Sequence, residues 1–156
     1  MADEQATRKQ DIHRYFAVNL FNHAWSLIDL AERTPEQEAE MIHAAHASRY
    51  HWGQVGTALE WQRGEWQISR VYAILKRPEA AGYHAGICLA TCLKEGIGDF
   101  DLAFAYEALA RAGMLKGDRD ATEQYLEKAN QAGKAIREKE DREYFFSELK
   151  TISASV

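Results

Sequence analysis

The sequence predicts an all-α fold, a solenoid of about seven antiparallel helices, on three observations. Apolar residues recur at helical spacing along the chain, and no alternating strand pattern occurs. Capping signals interrupt that spacing at intervals of a few turns. Gly64-Glu65-Trp66 recurs as Gly98-Asp99-Phe100, a spacing of 34 residues, and fixed periods of this length mark stacked helix pairs. Sliding one segment onto the other pairs Thr57 with Thr91, Leu59 with Leu93, Tyr72 with Tyr106, Leu75 with Leu109 and Arg77 with Arg111.

The first helix is expected from about Thr7 to Arg33. Its apolar residues, among them Ile12, Phe16, Phe21, Trp25 and Ile28, occupy more than one face, so both sides are expected to be covered. Thr34-Pro35-Glu36-Gln37 then starts a second helix, with Thr34 as N-cap, Pro35 at the first helical position and Gln37 closing a capping box. We expect one long helix from there to about Arg63, with Gly64 turning the chain into a third helix over Glu65 to Lys76. Pro78 stops the third helix, because the residue before proline avoids helical geometry. A fourth spans Pro78 to Glu95, and Gly96-Ile97-Gly98 turns into a fifth with Asp99 as its N-cap. Gly117-Asp118 ends the fifth, and Asp120-Ala121-Thr122-Glu123 caps a sixth whose stripe is Tyr125, Ala129, Ala132 and Ile136. The charged stretch Arg137 to Glu143 leads to a seventh carrying Tyr144, Phe145, Leu149 and Ile152. The whole, residues 1–156, is expected to be one domain: an N-terminal helix over 1–33 packed on helix pairs over 35–77, 78–117 and 118–153. The last pair departs from the 34-residue register, as terminal repeats do when one face must meet water.

Thr91, Gly98-Asp99, Ala103 and Ala110 match the small residues and the Gly-acid turn of the tetratricopeptide pattern. Over about Tyr50 to Gly117 the chain resembles a tetratricopeptide-repeat (TPR-like) protein. It departs where the pattern has Trp or Leu, here Gly53 and Ile87, and where it has a large aromatic, here Glu60 and Lys94. The resemblance implies a right-handed α-α superhelix whose groove, lined by the first helix of each pair, binds a protein or peptide. The groove positions fall on His51, Gln54, Ala58, Trp61 and Gln62, then Ala85, Cys88, Cys92 and Glu95. A Lys- and Asn-rich clamp for a peptide carboxylate is missing.

A chain of 156 residues is long enough to bury a core without staples. Its charge of −5, from 24 acids against 19 bases, opposes a phosphate backbone, so no nucleic-acid partner is expected. No run approaches a spanning helix, so no membrane is expected and residence is expected to be cytoplasmic. Cys88 and Cys92, four apart on one helix, are expected to be reduced thiols.

His43, His46 and His51 place three imidazoles on one helix, and Glu40-Met41-Ile42-His43 has the Glu-x-x-His form of di-iron bundles, without a second copy. His84, Cys88 and Cys92 span about 12 Å of helix, too far for one ion. No phosphate loop, nucleophile elbow or Cys-x-x-Cys pair occurs, so no cofactor is expected. Tryptophan, tyrosine and arginine, the residues that dominate binding hot spots, crowd the segment from Arg49 to Tyr72. There Trp61 is expected as a partly exposed anchor beside His51 and Gln54, and Trp66 as packing. The function expected is a non-enzymatic protein or peptide interaction scaffold. The alternative is a metal-dependent or small-molecule-binding helical protein using His43, His46 and His51, joined by His13 or His23. A third reading is a homodimer that covers the second face of the first helix.

Overall fold

The computed structural model describes residues 1–153, and among them the chain is all helix with no strand. Residues 154–156 of the expected domain lie outside the described residues. The helices are α1 (Ala2–Ile28), α2 (Pro35–Val55), α3 (Ala58–Ile74), α4 (Pro78–Glu95), α5 (Asp99–Lys116), α6 (Arg119–Lys134) and α7 (Lys139–Ser153). None is long and apolar enough to cross a membrane.

Local chemistry sets the boundaries. α1 ends at Ile28 rather than near Arg33, because the Arg33 guanidinium donates to the carbonyls of Leu27, Ile28 and Leu30 that the helix leaves unpaired. The capping box before α2 is present: Thr34 Oγ1 accepts from the Gln37 N–H, and Gln37 Oε1 from the Thr34 N–H. α5 is capped by Gly98, not Asp99; Asp99 takes a positive φ of 54° and its Oδ1 accepts from the Phe100 N–H. α6 is capped by Asp118, whose Oδ1 accepts from Ala121, and not by Asp120. The turn residues Gly96 and Gly117 adopt left-handed geometry after α4 and α5, where a Cβ is disfavoured.

The largest difference from expectation lies between Pro35 and Ile74. No single helix runs to Arg63. The chain breaks at Gly56, which is extended, and restarts at Thr57, where the Glu60 carboxylate accepts from both the Thr57 N–H and its hydroxyl. Those hydrogen bonds hold the Glu60 carboxyl below its ordinary pKa. Gly64 therefore lies inside α3 and turns nothing. Its small size admits Arg49, whose Cδ would stand 2.8 Å from an added Cβ. Gly64-Glu65-Trp66 and Gly98-Asp99-Phe100 thus occupy different places in their helices. α3 and α5 begin 41 residues apart, at positions 58 and 99.

Each helix packs on its neighbours in sequence, and α1 on α3, α3 on α5 and α5 on α7 also touch. Among the described residues the backbones of α2, α4 and α6 do not come close to one another; α2 and α4 meet only through side chains, the His46 and His84 rings. The odd-numbered helices therefore form one row and the even-numbered helices cover it. Small residues permit the close approach: Ala17, Ala24, Ala45, Ala81, Ala85 and Ala103 are fully or almost fully buried. Hydroxyl and amide side chains tie helix to helix, with Ser48 donating to the Ala17 carbonyl, Gln67 to that of Phe21 and Ser69 to that of Ala81. The apolar core is a string of clusters along the helix order, one among α1, α2 and α3 and another among α5, α6 and α7. α1 is not covered on both sides: Ile12 and Tyr15 are exposed, and so in large part is Phe16, which stacks on His51 of α2.

Candidate functional site

The row of odd-numbered helices borders an open cavity of about 430 Å³, within the range of small-ligand and side-chain pockets. Each helix contributes about one turn of its face. α1 supplies Phe21 and Trp25, α3 supplies Gln62, Arg63 and Trp66, α5 supplies Phe100, Asp101 and Phe104, and α7 supplies Asp141 and Tyr144. The spacing explains the convergence, since residues three or four apart share a helical face. Six of the ten lining residues are aromatic.

The rings brace one another. Trp25 stacks on Trp66 at 5.7 Å between centroids, Phe104 meets Trp66 edge-on at 5.6 Å, and Phe100 lies 4.6 Å from Phe104. Arg70 lies over the Trp66 ring at 5.2 Å and joins an ionic network beside the cavity. Within it Glu107, fully buried, accepts from Arg111 at 2.5 and 2.8 Å, while Arg70 pairs with Glu107 and Glu148. Two buried polar atoms here have no partner among the described residues: Trp66 Nε1 and Glu107 Oε2.

The charged groups of the cavity divide into committed and open ones. Asp101 accepts from Arg63 through both oxygens at 2.8 and 2.9 Å, and from Gln62 Nε2 at 2.5 Å. That pairing pushes the Arg63 pKa up. Asp141 is exposed and makes no hydrogen bond or ion pair among the described residues. The Tyr144 hydroxyl is pushed above its ordinary pKa by burial and then by Glu148, with Glu107 and Asp29 acting in the same direction and Arg70 against.

Of the positions expected to line a groove, only Gln62 reaches this cavity. Cys88 and Cys92 are fully buried, because that face of α4 packs on α5 and Cys88 Sγ donates to Gln62 Oε1 at 3.3 Å. They line no open surface. The hydrogen-bonded Cys92 thiol, with burial, pushes the Cys88 pKa far above the ordinary thiol value. Ala85 is buried, whereas Gln54 and Glu95 are exposed away from the cavity. His51 pairs with His13, Nδ1 to Nδ1 at 2.8 Å, and stacks on Phe16. Trp61 is half-buried, donating from Nε1 to the Trp52 carbonyl under Arg49. Trp66 is half-buried too, and it faces the cavity that Trp61 does not.

The three histidines of the metal reading do not converge. His43 is exposed, His46 bonds the Tyr72 hydroxyl at 2.9 Å, and His51 faces α1. Among the described residues no group of three His, Cys, Asp or Glu side chains could hold a metal ion. A second polar cluster instead joins α2, α3 and α4. Glu65 there accepts from Arg49 at 3.0 Å and pairs with His84 Nδ1 at 2.7 Å, while the His46 ring meets the His84 ring edge-on. Burial first and the His84 charge second hold the His46 pKa below the ordinary value.

The aromatic cavity was not found from sequence, although its signal was present. Phe21-Trp25 and Phe100-Phe104 are aromatic pairs four apart, but nothing in either pair says that their faces meet.

No protein-family model, curated protein or solved structure matches this chain.

Proposed function

We propose that this chain is a non-enzymatic interaction scaffold of tetratricopeptide-like type, a right-handed superhelix that binds a protein or peptide partner in the groove along its odd-numbered helices. The observation that carries the reading is the cavity lined by α1, α3, α5 and α7, with six aromatic rings on its wall. Aromatic side chains bury large area at small entropic cost and dominate interface anchors. Support also comes from the arrangement of contacts: one row of helices whose backbones approach their next-but-one members, beside a row whose backbones do not, is what a curved stack requires. The groove helices differ from those first expected. The binding row is α1, α3, α5 and α7 in place of the helices bearing His51 and Cys88.

Panning a random peptide library on the immobilised protein tests this. Enriched peptides are expected to bind the wild type and to lose about tenfold or more with Tyr144→Ala, a substitution at a half-exposed ring that leaves the fold intact. Trp61→Ala is expected to leave their affinity unchanged. No enrichment, or enriched peptides indifferent to Tyr144→Ala, would overturn the reading.

A further inference from the structure

Resting on that reading, we infer that the cavity takes a cationic side chain, the ammonium of a lysine in a basic peptide segment, held by ring faces and by Asp141. The argument compares what each kind of occupant would meet. An anion would meet an aromatic wall and the Asp141 carboxylate, while Arg63, the one guanidinium among the lining residues, is already bound by both oxygens of Asp101. A neutral apolar group would fit the rings but cover Asp141, burying a carboxylate that has no partner among the described residues. A cation gains from the rings and also gives Asp141 its counter-ion. Aromatic cages recognise alkylammonium groups on these grounds.

Two further observations bear on the sign of the field. The lining residues carry Asp101, Asp141 and Arg63, a net of one negative charge. The Tyr144 hydroxyl, on the same wall, resists ionisation chiefly through burial, with three nearby acids acting in the same direction against one base. The first turns of α5 and α7 also meet the cavity, and the positive ends of their dipoles oppose a cation. Each is a partial charge, however, and each first turn carries two acids, Asp99 with Asp101 and Glu140 with Asp141. At α7 neither acid has an ion pair among the described residues and their charges outweigh the dipole, whereas at α5 Asp99 and Asp101 are paired with Arg137 and Arg63. The chain as a whole, at −5, attracts a basic segment from a distance.

The test uses one Gly/Ser-framed peptide in four forms, with lysine, trimethyllysine, the uncharged tert-butyl isostere of trimethyllysine, or glutamate at its centre, titrated calorimetrically into the full chain. Trimethyllysine is expected to bind about tenfold more tightly than its neutral isostere, lysine to lie between them, and glutamate not to bind. Asp141→Asn, at an exposed position, is expected to narrow the gap between charged and neutral forms several-fold, weakening the charged forms and tightening the neutral one, which no longer buries a carboxylate. Equal binding of the charged and neutral forms, preference for glutamate, or an unchanged gap in Asp141→Asn would each overturn the inference. If library peptides bind the groove without any basic requirement, only this inference fails; if neither library nor framed peptides bind, the scaffold reading fails with it.

Discussion

Trp66 is where the wall of the cavity and the core of the fold are the same side chain, and two substitutions separate its contributions. Emptying a fully packed tryptophan site costs about 3 to 5 kcal/mol. Trp66 faces a cavity on one side, so fewer contacts are lost. Its ring pairs with Trp25 and Phe104 are worth about 0.5 to 1.5 kcal/mol each, and the Arg70 stack about 0.5 to 1 kcal/mol. Against this, the ring carries a buried Nε1–H with no acceptor among the described residues, and removing it recovers about 1 kcal/mol or more. The balance for Trp66→Ala is a loss of about 2 to 3 kcal/mol. Trp66→Phe keeps a ring in place and also removes the orphaned donor, so it should cost less than about 1 kcal/mol. Trp61 gives the opposite pattern on a smaller scale. Its Nε1–H is bonded to the Trp52 carbonyl, so Trp61→Phe loses about 1 kcal/mol for that bond alone. Urea denaturation of the three variants, followed by circular dichroism, reads all of these. Trp66→Phe proving as damaging as Trp66→Ala would refute the reasoning, because it would mean that the indole nitrogen is satisfied and contributes to stability.

Three further outcomes follow from other parts of the molecule. Glu107→Ala takes the counter-ion from Arg111, which keeps only its neutral acceptors, the Glu148 carbonyl and Thr151 Oγ1, and weakens the hold on Arg70, both mostly buried, and should cost about 3 kcal/mol in the same melts; Glu123→Ala, which breaks only the exposed pair with Arg119, should cost less than about 0.5 kcal/mol. Gly113→Ala sets a Cβ 2.9 Å from Thr122 Oγ1 and 3.2 Å from its backbone nitrogen, forcing α5 from α6 at a cost of about 1 to 3 kcal/mol, whereas Gly86→Ala, with open space around it, should stabilise α4 by about 0.5 to 1 kcal/mol. His46 and His51 are both held below the ordinary value of 6.5 in the folded chain, burial being the main cause. The unfolded chain therefore takes up those protons first as pH falls, so their contribution is complete above the unfolded value and is lost as pH drops through the folded ones. Thermal melts between about pH 7 and pH 5 should show stability falling, and His46→Gln should flatten that fall more than His51→Asn does.

Seven helices were legible because their ends carry local chemistry that acts within four residues. The Thr34-Gln37 box and the stop before Pro78 need no knowledge of the rest of the chain. Between α2 and α3 two glycine-containing sites compete in the sequence, and the bonds that decide for Gly56, from Thr57 to the Glu60 carboxylate, are equally local. The position of the break carries into the site. With a turn at Gly64, Gln62 and Arg63 end one helix and Trp66 opens the next, so nothing directs them to a common surface. With the break at Gly56, residues 62 to 66 are one turn of α3, and Gln62, Arg63 and Trp66 share a wall. The same shift transfers the exposed inner row from the even-numbered helices to the odd-numbered ones. It explains why Cys88 and Cys92, legible as a stripe, point into α5, while Phe100 and Phe104 border open space. No residue pattern could reveal the cavity itself, since its four walls lie as far apart in sequence as Phe21 and Tyr144 and meet only through the stacking order of the helices. The residue types on the wall were visible from the start. Their convergence depended on one helix boundary, and a capping bond between Thr57 and Glu60 decides that boundary.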